Sequence, residues 1–262
     1  MMRRIPWKGG LRTAVALIAV FLLLPTLVVI PLSFTEGSLL RWPPRGFSLR
    51  WYETLLADPA WRDATLKSLE VALWTALAAT AIGTTTALGL TRGRFRGRQL
   101  ISSLSLSPIV VPTVITAIGT YFVFVRLGIV GTTAGLVLAH TVLALPLVIV
   151  SVTNSLRSFD RNLELAALSL GAGPVSTFFR ITLPLVAPGV AASALFAFIT
   201  SWDEIVVALF VTDPVVRTLP VVIFNQLRSG VDPTVAAAAT LLVLVTVTAL
   251  GVALAARRGL KT

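Results

Sequence analysis

The chain has 262 residues, 56% hydrophobic and only 13% charged, with a mean hydropathy of +0.90, which excludes a soluble domain of ordinary composition and indicates an integral membrane protein. It has no cysteine and a single histidine, so disulfides, thiolate metal sites and a histidine-built metal centre are excluded. The net charge of +11 would suit a nucleic-acid binder, but the basic residues gather in short runs between apolar stretches, which reads as membrane topology and argues against nucleic acid as a partner.

In chain order, residues 1–10 form a tail that carries Arg3, Arg4 and Lys8 and no acid, and Arg12 follows. Residues 11–34 are almost wholly apolar and long enough to cross the ~30 Å hydrocarbon layer at ~1.5 Å per residue, so they are expected to form the first span, kinked at Pro25 and Pro31. A cleaved signal peptide is the alternative, but the apolar run is too long and no alanine falls between Ala19 and Ala57 to build a cleavage site. Residues 35–65 are mixed polar, interrupted by Trp42-Pro43-Pro44. Leu49, Tyr52, Leu55 and Leu56 then form an apolar stripe, as in a short helix lying on the membrane surface with Trp51 and Trp61 at headgroup level.

A five-helix core is expected over 66–256. Span two covers 66–90, where Ala79, Gly83 and Ala87 recur at intervals of four and leave one face open to close packing. Arg92, Arg94, Arg96 and Arg98 follow with no acid among them. Span three, 100–125, holds Pro108 and Pro112; span four, 132–152, holds His140 and Pro146, and both should be bent. His140 faces either a neighbouring carbonyl or a central path. Spans five and six cover 185–211 and 235–256, and a tail, 257–262, carries Arg257, Arg258 and Lys261. With both termini cytoplasmic, the inner segments hold 14 of the 22 Lys and Arg and only two acids, Asp160 and Glu164, which fits the positive-inside bias.

That arrangement puts residues 154–184 in the cytoplasm. From Asp160 to Leu170 there is neither glycine nor proline, and Leu163, Ala166, Ala167 and Leu170 share one helical face. Gly171 ends the helix, Gly173-Pro174 turns the chain, and a second short helix from Val175 to Phe179 is expected to break at Leu183-Pro184. Ala166, Ala167, Gly171 and Ala172 keep the surface low while Leu168 and Leu170 offer apolar anchors, so another protein can approach closely. A helix-turn-helix packed on its own chain is the alternative.

The run Ala166-Ala167, Gly171 and Ile181-x-Leu183-Pro184 resembles the signature loop of bacterial ABC importer permeases, and the layout Pro108, Pro112, Leu127-Gly128, Gly131, His140 and Pro146 is similar to that family too. The resemblance implies a type I importer permease fold of six transmembrane helices in the bacterial inner membrane. In that fold Glu164, Ala166, Ala167, Leu168, Gly171, Ala172, Ile181, Leu183 and Pro184 belong to a coupling element seated in an ATP-hydrolysing partner. The family usually places its acid directly before the two alanines; here that place is Leu165 and the acid is Glu164. The implied partners are a second permease, two ATP-binding subunits that bring the ATP and magnesium, and an extracytoplasmic solute-binding protein.

Ser201-Trp202-Asp203-Glu204 interrupts span five with two acids. An ionised group at mid-membrane costs at least ~2.5–3.5 kcal/mol on insertion scales, so these carboxylates need water, a partner or a cation. Asp203, with Trp202 and Glu204 beside it, can line a path that favours a cation through Coulomb attraction and cation–π contact. Otherwise one acid pairs with Arg126 or Arg217 and the other sits at the outer interface. Span five resembles the spermidine/putrescine type of permease, which implies a polyamine-like solute, although related permeases carry iron or small organic solutes. No G-x-x-x-x-G-K-[ST] phosphate loop occurs, so ATP hydrolysis by this chain is not expected. A proton-driven carrier using Asp203, Glu204 and His140 as a relay is a rival; a membrane enzyme is not favoured, since no catalytic cluster accompanies the acids.

Overall fold

The computed structural model describes residues 8–230 and 232–259, so Arg3, Arg4 and Lys261 of the two predicted tails lie outside the described residues, and of the described tail residues Arg257 and Arg258 only the helical backbone is described. Among the described residues there are helices and no β-strand, only one isolated bridge between Thr35 and Phe47. Five helices are long and apolar enough to cross a membrane, and a sharply bent pair makes a sixth span if counted as one. The chain divides into two compact units, Met1–Arg62 with Ile223–Leu244, and Asp63–Val222 with Val245–Thr262.

In the first unit, α1 (Lys8–Ser33) carries Pro25 and Pro31 inside the helix and exposes Leu17, Phe21 and Leu24 along its length, as a helix solvated by apolar surroundings does. After it comes α2 (Arg50–Ala57). Tyr52 reaches back to Ser33 Oγ at 2.7 Å and Trp51 Nε1 donates to the Thr35 carbonyl at 2.8 Å. The expected surface stripe is split: Leu55 is buried, whereas Leu49 and Leu56 are exposed. Trp61 is also buried rather than available to headgroups, because it belongs to the first turn of the next helix and not to α2.

The second unit holds most of the core. Here α3 (Pro59–Arg92) runs longer than the expected span and packs on α6 (Thr133–Ser158). Their seam is the stripe of small residues: Ala79 and Ala87 are fully buried with Ala144, Val148 and Val152. A side chain added at Gly83 would put its Cβ 2.5 Å from Val148 Cγ1, so the helices approach to a distance only glycine allows.

The third predicted span is two helices, α4 (Arg98–Val110) and α5 (Thr113–Leu127), meeting at 111°. The chain breaks here and does not merely bend. Pro112 forces its predecessor out of the helical region, and Val111 is extended at φ −76°, ψ 129°. The fifth predicted span is also broken, into α9 (Leu183–Trp202) and α10 (Val206–Val211). Val207, Ala208 and Val211 of α10 join Val71, Ala117, Leu136 and Ala139 in one apolar cluster. α11 (Leu219–Ser229) was not anticipated from sequence; α12 (Pro233–Gly259) covers the sixth predicted span.

Candidate functional site

Two regions hold the sequence-selected residues. The first is the loop between α6 and α9. It contains α7 (Asn162–Ser169), α8 (Pro174–Thr177) and a π-turn at Phe178–Thr182 that runs directly into α9. The expected break at Leu183-Pro184 is absent: the helix continues from Pro174 to Trp202. Pro184 cannot donate a backbone hydrogen bond, and the widened turn before it accommodates the missing bond, with Leu183 N bonding five residues back to Phe178 O.

On α7, Glu164 and Ala167 face inward while Ala166 and Leu168 face out, and Leu170 is 88% exposed. Gly171 closes the helix at φ +88° with open space around it, a left-handed cap that side chains disfavour. Ala172 is half-buried, as are Ile181 and Leu183, and Pro184 is exposed. Leu163, Leu165, Leu168, Leu170 and Val175 are exposed and present apolar surface. Glu164 behaves otherwise. Its Oε2 lies 2.9 Å from Arg92 Nε at the end of α3, and its Oε1 accepts from Thr182 Oγ1 at 2.8 Å. It is therefore turned into the fold and away from the exposed face.

The second region is the break between α9 and α10. Glu204 stands just before α10 and accepts from Val207 N and Ala208 N, each at 2.9 Å, one through each carboxylate oxygen. The four leading N–H groups of a helix lack intrahelical partners, and a carboxylate there satisfies donors and complements the helix dipole. Neither Arg126 nor Arg217 pairs with it; His140 Nε2 lies 3.5 Å from Glu204 Oε2 with no hydrogen bond between them. His140 Nδ1 is 2.8 Å from Ser201 Oγ, which lies 3.4 Å from Thr75 Oγ1. Thr75, His140 and Ser201 are all buried, so this chain of polar groups joins α3, α6 and α9 inside the unit. The sequence offered no signal for Thr75, whose partner is 126 residues away.

Of the four residues assigned from sequence to a substrate path, two are placed elsewhere. Ser201 belongs to the buried network, and Trp202 is 1% exposed and stacked on Phe198 with centroids 6.0 Å apart, out of reach of a passing cation. Asp203 is exposed. It lines a cavity of about 520 Å³ together with Glu204, Pro108, Thr113, Leu143 and Thr200. The proline break between α4 and α5 thus opens onto the same space as the break between α9 and α10. Among the described residues no cluster of three His, Cys, Asp or Glu side chains suits a metal. The arrangement can hold a carboxylate against a mostly apolar wall, which suits binding a cation with an aliphatic body.

The sequence pattern of the family described as binding-protein-dependent transport system inner membrane components matches residues 79–260. The chain is 39% identical over 248 residues to the putrescine transport system permease protein PotI of Escherichia coli, covering 91% of this chain and 86% of PotI. It is 36% identical over 236 residues to the spermidine/putrescine transport system permease protein PotC of the same species, covering 90% of this chain and 88% of PotC. Among solved structures, a bacterial ABC transporter involved in the import of the acidic polysaccharide alginate is similar with a TM-score of 0.70 at 15% identity, covering 100% of this chain and 99% of that chain. At that identity the likeness concerns the fold.

Proposed function

The chain belongs to the family of binding-protein-dependent transport system inner membrane components, and from that premise we propose that it lines the translocation path of an ATP-driven importer for a small, polyamine-like cation. The observation that carries the solute class is the 39% identity to a putrescine permease across 91% of the chain. Asp203 at the cavity wall supports it, because a carboxylate on a largely apolar wall attracts a protonated amine. The aliphatic part of a polyamine would lie against Pro108 and Leu143.

In this reading the loop at 154–184 faces the cytoplasm and both termini lie on that side. The exposed face of α7, with Ala166, Leu168 and Gly171, seats in one of two ATP-binding subunits, which hold the ATP and magnesium. A second, similar permease completes the path, and an extracytoplasmic solute-binding protein delivers the cargo. Closure of the ATP-binding subunits displaces α7, and the movement reaches α9 through the continuous helix from Pro174 to Trp202. Asp203 sits at the far end of that helix.

A proton-driven carrier would need a relay through His140 and Glu204, whose Nε2 and Oε2 lie 3.5 Å apart without a hydrogen bond. Uptake of radiolabelled putrescine by cells expressing the full complex separates the two. The importer reading expects uptake to stop when the ATP-binding subunit cannot bind ATP, and to persist under a protonophore while cellular ATP is held constant. Loss of uptake under the protonophore alone would overturn it. Competition by spermidine is expected; competition by ferric iron or a neutral organic solute with none by spermidine would reassign the cargo.

A further inference from the structure

Arg92 marks topology in the sequence. Its guanidinium nevertheless gathers the ends of several helices. Nε pairs with Glu164 of α7 at 2.9 Å, Nη2 donates to the Leu156 carbonyl of α6 at 3.2 Å, and the group lies 5.2 Å over the Phe159 ring. Through the other oxygen of Glu164 the link continues to Thr182 in the π-turn that leads into α9. Arg92 itself is the last residue of α3.

The rest of α7 is held weakly. Its buried residues are Glu164 and Ala167, and an alanine methyl buries little apolar surface. Apolar burial is also non-directional and tolerates sliding, whereas the ion pair from Arg92 and the charge-assisted hydrogen bond from Thr182 hold the Glu164 carboxylate at short range from both sides. A push on the exposed face of α7 is therefore resisted chiefly by the Arg92–Glu164–Thr182 chain.

We propose that Arg92 and Glu164 are positioning residues that transmit displacement of α7 to α3 and α9, so that ATP hydrolysis is tied to solute movement. The proposal rests on the importer reading. Glu164, one residue away from the place the family's acid usually occupies, acts here on its own chain and leaves the partner contact to the apolar face.

The test uses the complete complex in proteoliposomes, with putrescine uptake and ATP hydrolysis measured on the same sample. Glu164→Gln keeps the side-chain volume and an acceptor for Thr182 but removes the charge. Uptake per ATP should fall about tenfold, because the ion pair with Arg92 is lost and the bond from Thr182 is no longer charge-assisted, while the ATP-binding subunits still copurify and hydrolyse. Thr182→Val, a milder change, should give a smaller loss of the same kind. Arg92→Glu combined with Glu164→Arg should recover part of the coupling that each change alone removes. Because the chain has no cysteine, spin labels at Asn162→Cys and Gly89→Cys, the latter exposed on α3 with open space around it, report the α7–α3 separation whatever the solute. That distance should stay constant between nucleotide-free and vanadate-trapped states in the wild type and spread in Glu164→Gln. Unchanged uptake per ATP in Glu164→Gln, loss of the ATP-binding subunits from the variant, or a wild-type distance that shifts with nucleotide would each overturn the proposal. A wild-type complex that takes up no putrescine counts against the polyamine reading alone, since the label distance still decides this one.

Discussion

Asp203 and Glu204 are adjacent in the chain and do different work. Glu204 is stable in an apolar setting because both of its oxygens accept backbone N–H groups of α10; Asp203 has no ion-pair partner among the described residues and lines the cavity. Glu204→Gln turns one acceptor oxygen into a donor facing another donor. It should destabilise the purified protein by about 0.5–2 kcal/mol, the usual worth of a helix cap, seen as a lowered melting temperature in detergent. Asp203→Asn should leave the melting temperature unchanged and reduce putrescine uptake by about tenfold or more, since the lost Coulomb attraction acts on the cargo and not on the fold. A lowered melting temperature in Asp203→Asn with normal uptake would reverse the two assignments. The sequence showed two acids inside a span and why they are costly there, but neighbours on a helix point about 100° apart, and which of them meets a backbone amide depends on where the helix breaks.

At the level of elements, the long apolar runs were legible because length and hydropathy alone decide whether a helix can span. The faces of those helices were less so. α9 is apolar nearly all round, so no periodic contrast tells inside from outside, and Trp202 was assigned to a path when it is buried. Pro184 was read as a terminator, which is the rule for a helix interior, but a π-turn just before it absorbs the missing donor. α11 has only 11 residues, too short to announce itself as a span. On α7 the small-residue pattern and the glycine cap were visible from spacing, whereas the inward turn of Glu164 depends on Arg92, 72 positions earlier in the chain. The cap itself can be tested. Gly171→Arg places a long charged side chain on the face proposed for the ATP-binding subunit, and it also strains the backbone at φ +88° by about 1–2 kcal/mol. Gly171→Asn carries little of that strain, because asparagine tolerates the left-handed region. Copurification of the ATP-binding subunits should be lost with arginine and retained with asparagine. Equal loss in both would assign the effect to backbone shape.

For the whole molecule the decisive quantity is the side of the membrane on which the α7 loop lies, since an ATP-driven partner exists only in the cytoplasm. The charge distribution argues for that side: Arg92, Arg94, Arg96, Arg98, Arg157, Arg161 and Arg180 fall at the ends of α3, α4 and α6, at the start of α7 and in the π-turn, and basic residues are retained inside during insertion. By the same logic the connection between α10 and α11, where Val215 is 86% exposed, is expected to face outward. The absence of cysteine makes this directly measurable, because any thiol introduced is the only one on the chain. Val215→Cys should react with a membrane-impermeant maleimide in intact cells whose outer envelope has been opened. Ser169→Cys, on exposed α7, should react only after the inner membrane is permeabilised. Labelling of Ser169→Cys in sealed cells would put the loop beyond the reach of ATP, and the importer mechanism would fail with it. If both positions label only after permeabilisation, the span formed by α9 and α10 does not cross. The cavity beside Asp203 would then be an inward pocket and not part of a path.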